Sequence, residues 1–75
     1  MDWVIIKTED GFINVKHGSY KLSEHRDLNT HKFTNFCLSF KPKGRLEKHI
    51  CEIKINDITK ALIEAERIIS KIKSN

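Results

Sequence analysis

The fold is decided by residues 33–73, which read FTNFCLSFKPKGRLEKHICEIKINDITKALIEAERIISKIK. Residues 33–41 have the aromatic and apolar content of a strand, and residues 45–55 have that of a returning strand. Between them, Pro42-Lys43-Gly44 is typical of a type I turn followed by a glycine bulge. Asn56 or Asp57 then caps a helix. This stretch therefore predicts a β-hairpin followed by a helix.

The predicted helix covers residues 57–73 and is amphipathic. Its apolar residues recur at the i, i+4, i+7 spacing of one helical face. They are Ile58, Leu62, Ala65, Ile69 and Ile72, widened by Ala61 and Ile68. Ile63 falls outside this stripe and is expected to be exposed. We predict that the helix packs its apolar stripe on one face of a β-sheet.

The predicted turn sets a register for the second hairpin. It pairs Phe40 with Leu46, Leu38 with Lys48, and Phe36 with Ile50. On the opposite face it brings Cys37 to His49, near Cys51. The apolar side changes face between the tip and the base, which indicates a twisted or bulged ribbon.

A first hairpin is predicted over residues 3–17 by Asp10-Gly11, which favours a two-residue type I′ turn. In that register Val4, Ile6, Ile13 and Val15 share a core face. Residues 20–24 are predicted as a short third strand, and residues 25–32 as a polar, mobile loop. The whole chain, residues 1–75, is thus predicted to be a single α+β domain. It has a small antiparallel sheet of three to five strands, with hairpins 3–17 and 33–55, and one C-terminal helix.

Composition places the chain in the soluble globular class, with 39% apolar and 32% charged residues over 75 positions. The longest apolar run, Trp3 to Ile6, is far shorter than the roughly 20 residues of a membrane span. Residues 1–3 lack the basic start of a signal peptide. We therefore expect a cytoplasmic protein without a membrane association, in which Cys37 and Cys51 are free thiols.

All of the net charge of +4 lies in the second half of the chain. Residues 1–37 carry five basic and five acidic residues, and residues 38–75 carry nine and five. Four cations surround the second predicted turn: Lys41, Lys43, Arg45 and Lys48. Beside Phe36 and Phe40 they suit contact with single-stranded nucleic acid. The same charges also serve to protect an exposed hairpin from aggregation. The helix cations, including Lys73, either extend this basic surface or belong to a solvated helix face.

A second candidate surface is the sheet face that the first hairpin turns away from its predicted core. This face carries Trp3, Ile5 and Phe12. Aromatic and aliphatic residues there are typical of a partner interface or a homodimer contact. A small second core beneath the loop over residues 25–32 accounts for them equally well.

No spacing of residues in the chain demands a metal, a cofactor or catalysis. Cys37, His49 and Cys51 share a face in the predicted register, but a structural zinc site needs four ligands. The leading hypothesis is a non-enzymatic nucleic-acid-binding module with little sequence preference. The alternative is a small regulator or inhibitor that binds a protein, with an acidic partner at the basic tip or an apolar one at a sheet face or strand edge.

Overall fold

The computed structural model describes residues 2–8 and 11–74, with Lys7 described by its backbone alone. Within these ranges a five-stranded antiparallel sheet is followed by one helix, which confirms the predicted α+β class. The elements are β1 (Val4–Lys7), β2 (Ile13–His17), β3 (Tyr20–Arg26), β4 (Phe33–Phe40), β5 (Lys48–Ile53) and α1 (Ile58–Lys73). Each strand pairs with the next one along the chain, so the sheet is a meander.

One hydrophobic layer lies between the sheet and the helix. Val15, Leu22 and Leu38 are paired across β2, β3 and β4, and all three are fully buried. Directly opposed residues of antiparallel strands point to the same face, so these side chains form a continuous row. The other buried apolar side chains of the cluster are Phe36, Ile53, Ala61, Ala65 and Ile69. This layer is the core of the described protein.

The helix begins where the sequence predicts, and its fully buried residues, Ala61, Ala65 and Ile69, belong to the predicted stripe. Asp57 is the N-cap, and its side chain accepts a hydrogen bond of 3.2 Å from the Lys60 amide. Leu62 is half-buried and packs against the core, as predicted, whereas Ile72 is 44% exposed, contrary to prediction. Ile72 lies in the last turn of the helix, beyond the fully buried Ile69. Ile63 is exposed, as predicted.

The register of the first hairpin differs from the prediction by one residue. Ile5, not Ile6, pairs with Val15. Because side chains alternate between the two faces of a strand, this shift reverses every assignment on β1. Trp3 and Ile5 lie on the face that carries the helix, and Val4 and Ile6 on the opposite face. The predicted core role of Val4 and Ile6 is therefore wrong.

The cause is the length of the connection between β1 and β2. The Thr8 amide donates to the Phe12 carbonyl at 3.2 Å, and the Gly11 amide donates to the Thr8 carbonyl at 3.0 Å. Three residues therefore separate the facing positions, rather than two. Gly11 has a φ of 83°, the left-handed conformation that closes a loop of this length. The predicted turn conformation of Asp10 lies outside the described residues.

The third strand is longer than predicted, because His25 and Arg26 belong to β3 rather than to a loop. The connection that follows is organised by Asp27. Its side chain accepts hydrogen bonds from the amides of Asn29 and Thr30, at 2.8 and 2.9 Å. These bonds also lower the pKa of the Asp27 carboxyl, despite a small opposing effect of desolvation. The Asp27 amide also donates to the Lys32 carbonyl at 2.8 Å, so residues 27–32 form a turn closed by its own hydrogen bonds.

The register of the second hairpin is also shifted. Phe36 pairs with Ile53, Leu38 with Cys51, and Phe40 with Lys48. The Arg45 amide donates to the Pro42 carbonyl at 3.1 Å, so Pro42 is the first residue of the turn and not the second. Residues 45–47 lie outside the strands, which lengthens the connection. The register shifts between Leu38 and Ser39, which agrees with the predicted irregular ribbon but lies in β4 and not at the glycine of the turn.

Candidate nucleic-acid interface

The four predicted cations lie together at one end of the sheet, and we refer to them as the basic tip: Lys41, Lys43, Arg45 and Lys48. All four are exposed. The first three lie in the connection between β4 and β5, and Lys48 begins β5 opposite Phe40. The Lys41 amide donates to the Ser19 carbonyl at 2.8 Å, which ties this connection to the turn between β2 and β3. A backbone hydrogen bond therefore anchors the start of the connection that carries the tip.

The basic tip keeps its positive charge because the one acidic residue in its connection is neutralised from elsewhere. Glu47 forms an ion pair with Lys21 of β3, with 2.7 Å between Lys21 Nζ and Glu47 Oε1. The hydrogen bond from Lys21, its charge and the charge of Lys41 lower the pKa of Glu47. Within residues 2–8 and 11–74, no residue of the basic tip forms a salt bridge. Its cations are therefore available to an anionic ligand.

A groove of about 420 Å³ opens beside the basic tip, on the face of the sheet that carries the helix. Its lining is mostly apolar, and it includes one residue of the tip. It is lined by Tyr20, Phe40, Lys48, His49, Ile50 and Ile72. The ring centroids of Tyr20 and Phe40 lie 4.9 Å apart with 34° between the ring planes. Lys73 Nζ lies 5.7 Å from the centre of the Tyr20 ring. We call this the aromatic groove.

The aromatic groove changes which rings are available for stacking. Phe36 is buried in the core, so its proposed exposure to a ligand is ruled out. Phe40 is half-buried and borders the groove, in keeping with its proposed role. Tyr20 is not identified as a stacking residue from the sequence, because Tyr20 meets Phe40 only through the pairing of β3 with β4. That pairing depends on the connection over residues 27–32, which has no recognisable strand-pairing signal in the sequence.

The structure separates the two cysteines that the predicted register had placed together. Cys51 pairs with Leu38 and so faces the helix, whereas Cys37 faces the other side of the sheet. Cys37 Sγ lies 3.0 Å from Nδ1 of His49. Desolvation, with the nearby charges of Glu52 and Glu47, raises the Cys37 pKa, so the thiol form is favoured. Among the described residues no group of three or more His, Cys, Asp or Glu side chains is placed to hold a metal ion.

The predicted partner surface of Trp3, Ile5 and Phe12 is divided between different environments. Trp3 is half-buried against the core, and its Nε1 donates to Glu66 of α1 at 3.0 Å. Phe12 is half-buried beneath the Arg26 guanidinium, which lies 4.7 Å from the ring centre. Ile5 is 61% exposed on the outermost strand. Ile5 alone of the three therefore presents a largely open apolar side chain.

Comparison with protein-family models, with curated proteins and with solved structures found no match. In the described part of the protein, no helix combines the length and apolar character needed to cross a membrane.

Proposed function

We propose that the protein binds single-stranded nucleic acid, without catalysis and with little preference for sequence. The observation that supports this proposal most directly is the position of the aromatic groove beside the basic tip. Lys48 belongs to both, because it lines the groove and also begins the strand that leaves the tip. A ligand that contacts both must combine an aromatic ring with a repeating negative charge.

The basic tip would bind the phosphates. Its four cations follow one another along the connection between β4 and β5 and into the start of β5, which suits a chain of phosphates better than a single anion. Each phosphate contact releases condensed counterions and so contributes affinity that depends on salt but not on sequence. The absence of salt bridges from these side chains, among the described residues, means that no internal pair must be broken on binding.

The aromatic groove would hold an unstacked base. Tyr20 and Phe40 supply ring surfaces, and base stacking on an aromatic side chain contributes about 1–3 kcal/mol. Lys48 and Lys73 lie close enough to these rings to contact the phosphates that flank the base. A duplex keeps its bases stacked inside the helix, so the groove favours a single strand.

The electrostatic part is tested by salt-dependent binding of a fluorescein-labelled oligo(dT), followed by fluorescence anisotropy. The test variant combines Lys41→Ala, Lys43→Ala and Arg45→Ala. The control combines Lys32→Ala, Lys54→Ala and Lys60→Ala, three exposed lysines outside the tip and the groove. Both variants lose three positive charges, so their net charges are equal. Between about 50 and 200 mM NaCl, the log–log slope of the test variant should be shallower by about 2, from roughly 0.7 per phosphate contact.

The stacking part is tested by Phe40→Leu, which keeps an apolar side chain in the groove but removes the ring. Affinity for oligo(dT) should fall by about fivefold or more, in line with the stacking energy of one base. The salt slope should stay unchanged, since no phosphate contact is lost. Equal binding by the two triple variants, or no binding by the wild type at low salt, would refute the proposed function.

The alternative of a protein-binding regulator is favoured by one separate observation, the exposed aliphatic residues of β1. They lie away from the basic tip, on the strand at the other edge of the sheet. A chain that fails the nucleic-acid tests and co-purifies with a second protein through β1 would support this alternative.

A further inference from the structure

The outermost strand β1 is only weakly protected at the edge of the sheet, because its one charged residue, Lys7, is its last. Val4, Ile5 and Ile6 are consecutive aliphatic residues, and they are 63%, 61% and 43% exposed. Edge strands in soluble proteins usually carry charges, prolines or bulges that prevent pairing with other strands. The opposite edge strand, β5, follows that rule, with Lys48, His49 and Glu52.

The unpaired backbone groups of β1 belong to its odd-numbered residues. The Thr8 amide donates to the Phe12 carbonyl, and the Asp2 carbonyl accepts a hydrogen bond from Nδ1 of His17. Even-numbered residues therefore point their backbone groups towards β2. Because these directions alternate along an antiparallel pair, Ile5 and Lys7 point their amides and carbonyls away from the sheet. These groups form a row that another strand can pair with.

We propose that β1 pairs antiparallel with β1 of a second copy of this chain, in a register centred on Ile5. A two-fold axis perpendicular to the sheet then places Ile5 opposite Ile5, and Val4 opposite Ile6 of the second copy. The outward amides and carbonyls of Ile5 meet those of the other Ile5. In this single register each of the three exposed aliphatic residues gains an aliphatic cross-strand neighbour from the second copy.

A second copy fits this edge because it continues the apolar row of the core. Ile5 is paired with Val15, and Val15 is followed across the sheet by Leu22 and Leu38. In the dimer, Ile5 at the end of this row lies next to Ile5 at the end of the same row in the other copy. Both helices then cover the same face of one continuous sheet, and the apolar layers beneath them meet at the interface.

The net charge of +4 does not oppose this arrangement. The basic tip lies on the connection between β4 and β5, at the far side of the sheet from β1. With about 4.8 Å between neighbouring strands, the β4–β5 hairpin is roughly 17–22 Å from the two-fold axis. The axis also reverses the strand direction, so the two tips lie at opposite ends of the dimer. The dimer does not depend on nucleic-acid binding.

The association is tested by sedimentation of the wild type and two matched variants over a range of protein concentrations. Ile5→Lys places like charges opposite each other at the interface, which disfavours cross-strand pairing. Ile63→Lys is the control, because Ile63 is 64% exposed on the outer side of the helix. The wild type and Ile63→Lys should approach twice the 8.8 kDa monomer mass, and Ile5→Lys should remain monomeric. A wild type that is monomeric throughout, or an Ile5→Lys variant that is as dimeric as the control, would overturn the proposal.

The register is tested separately by disulfide formation in a Cys37→Ser, Cys51→Ala background. An oxidised mixture of Val4→Cys and Ile6→Cys proteins should form a covalent dimer, because these positions face each other across the axis. Each variant alone should cross-link much less, since its own cysteines are two residues out of register. This measurement does not require a charge in β1, so it also guards against misfolding of Ile5→Lys. Efficient cross-linking of Val4→Cys alone would refute the register.

Discussion

Replacement of Leu38 by Ala should remove most of the stability of this protein. Leu38 is fully buried in the central layer, with Leu22 on the neighbouring strand β3 and Cys51 on β5. Truncation of a leucine at such a site costs about 2–5 kcal/mol, from the lost burial and the cavity that remains. A domain of this size has roughly 3–5 kcal/mol of stability in total. The variant is therefore expected to lie close to the unfolding midpoint at room temperature.

The matched control is Leu46→Ala, because it makes the same chemical change at a side chain that is 93% exposed. Its free energy of unfolding should change by less than about 0.5 kcal/mol. Both variants are compared with wild type by thermal and urea unfolding, followed by far-ultraviolet circular dichroism and Trp3 fluorescence. The protein concentration is held constant, since dimerisation would raise the apparent stability.

The expected difference is large enough to measure without ambiguity. For a domain of this length, each kcal/mol corresponds to about 4–8 °C in the melting temperature. Leu38→Ala should therefore melt at least about 8 °C below Leu46→Ala. Equal melting temperatures for the two variants would show that the layer between the sheet and the helix does not stabilise the fold as described.

Two further predictions concern single polar contacts. Asp57→Ala should destabilise the fold by about 0.5–2 kcal/mol in urea unfolding, because it removes the N-cap, whereas Asn56→Ala should have little effect; equal losses would contradict the cap assignment. For Glu24, burial alone raises the carboxyl pKa, but the hydrogen bonds from Arg26 and the Ile13 amide and the charge of Arg26 hold the net pKa below its ordinary value of 4.5. A carboxyl whose pKa is lower in the folded state than in the unfolded state stabilises the fold at any pH above its unfolded-state pKa. The stability advantage of wild type over Glu24→Gln should therefore be complete above about pH 5 and should decline as the pH falls below 4.5. An advantage that grows on acidification would contradict this assignment.

The elements of the fold could be predicted from local patterns, whereas the strand registers could not. The helix has a clear 3.6-residue period and an aspartate at its start, so its bounds follow from the sequence. The register of each hairpin depends on the length of its loop. Backbone hydrogen bonds within the loop, such as that from the Arg45 amide to the Pro42 carbonyl, decide this length. At Gly11 one additional loop residue reversed the faces of β1, and at Pro42 the turn began one residue later than its composition favours.

The candidate site was predictable in part for the same reason. The cations of the basic tip are close in sequence and lie together in the structure. The aromatic groove combines residues from β3, β4, β5 and the end of α1, which only tertiary structure brings together. Tyr20 carried no local signal of its partner Phe40, and a solvated helix face accounted for Lys73 as well as an extended basic surface did.

The meander order has a consequence for how the chain reaches its native state. Every strand pairs with its neighbour in sequence, so the sheet can grow by local steps with little loop-closure cost. The helix comes after all five strands in the chain, and the apolar face of the sheet stays open to water until the helix docks. The contact between Trp3 and Glu66 spans 63 residues and forms only with that docking. Trp3 is the single tryptophan of the chain, and its ring also lies 5.9 Å from that of His17 on β2. Its fluorescence during refolding therefore reports both the pairing of β1 with β2 and the docking of the helix.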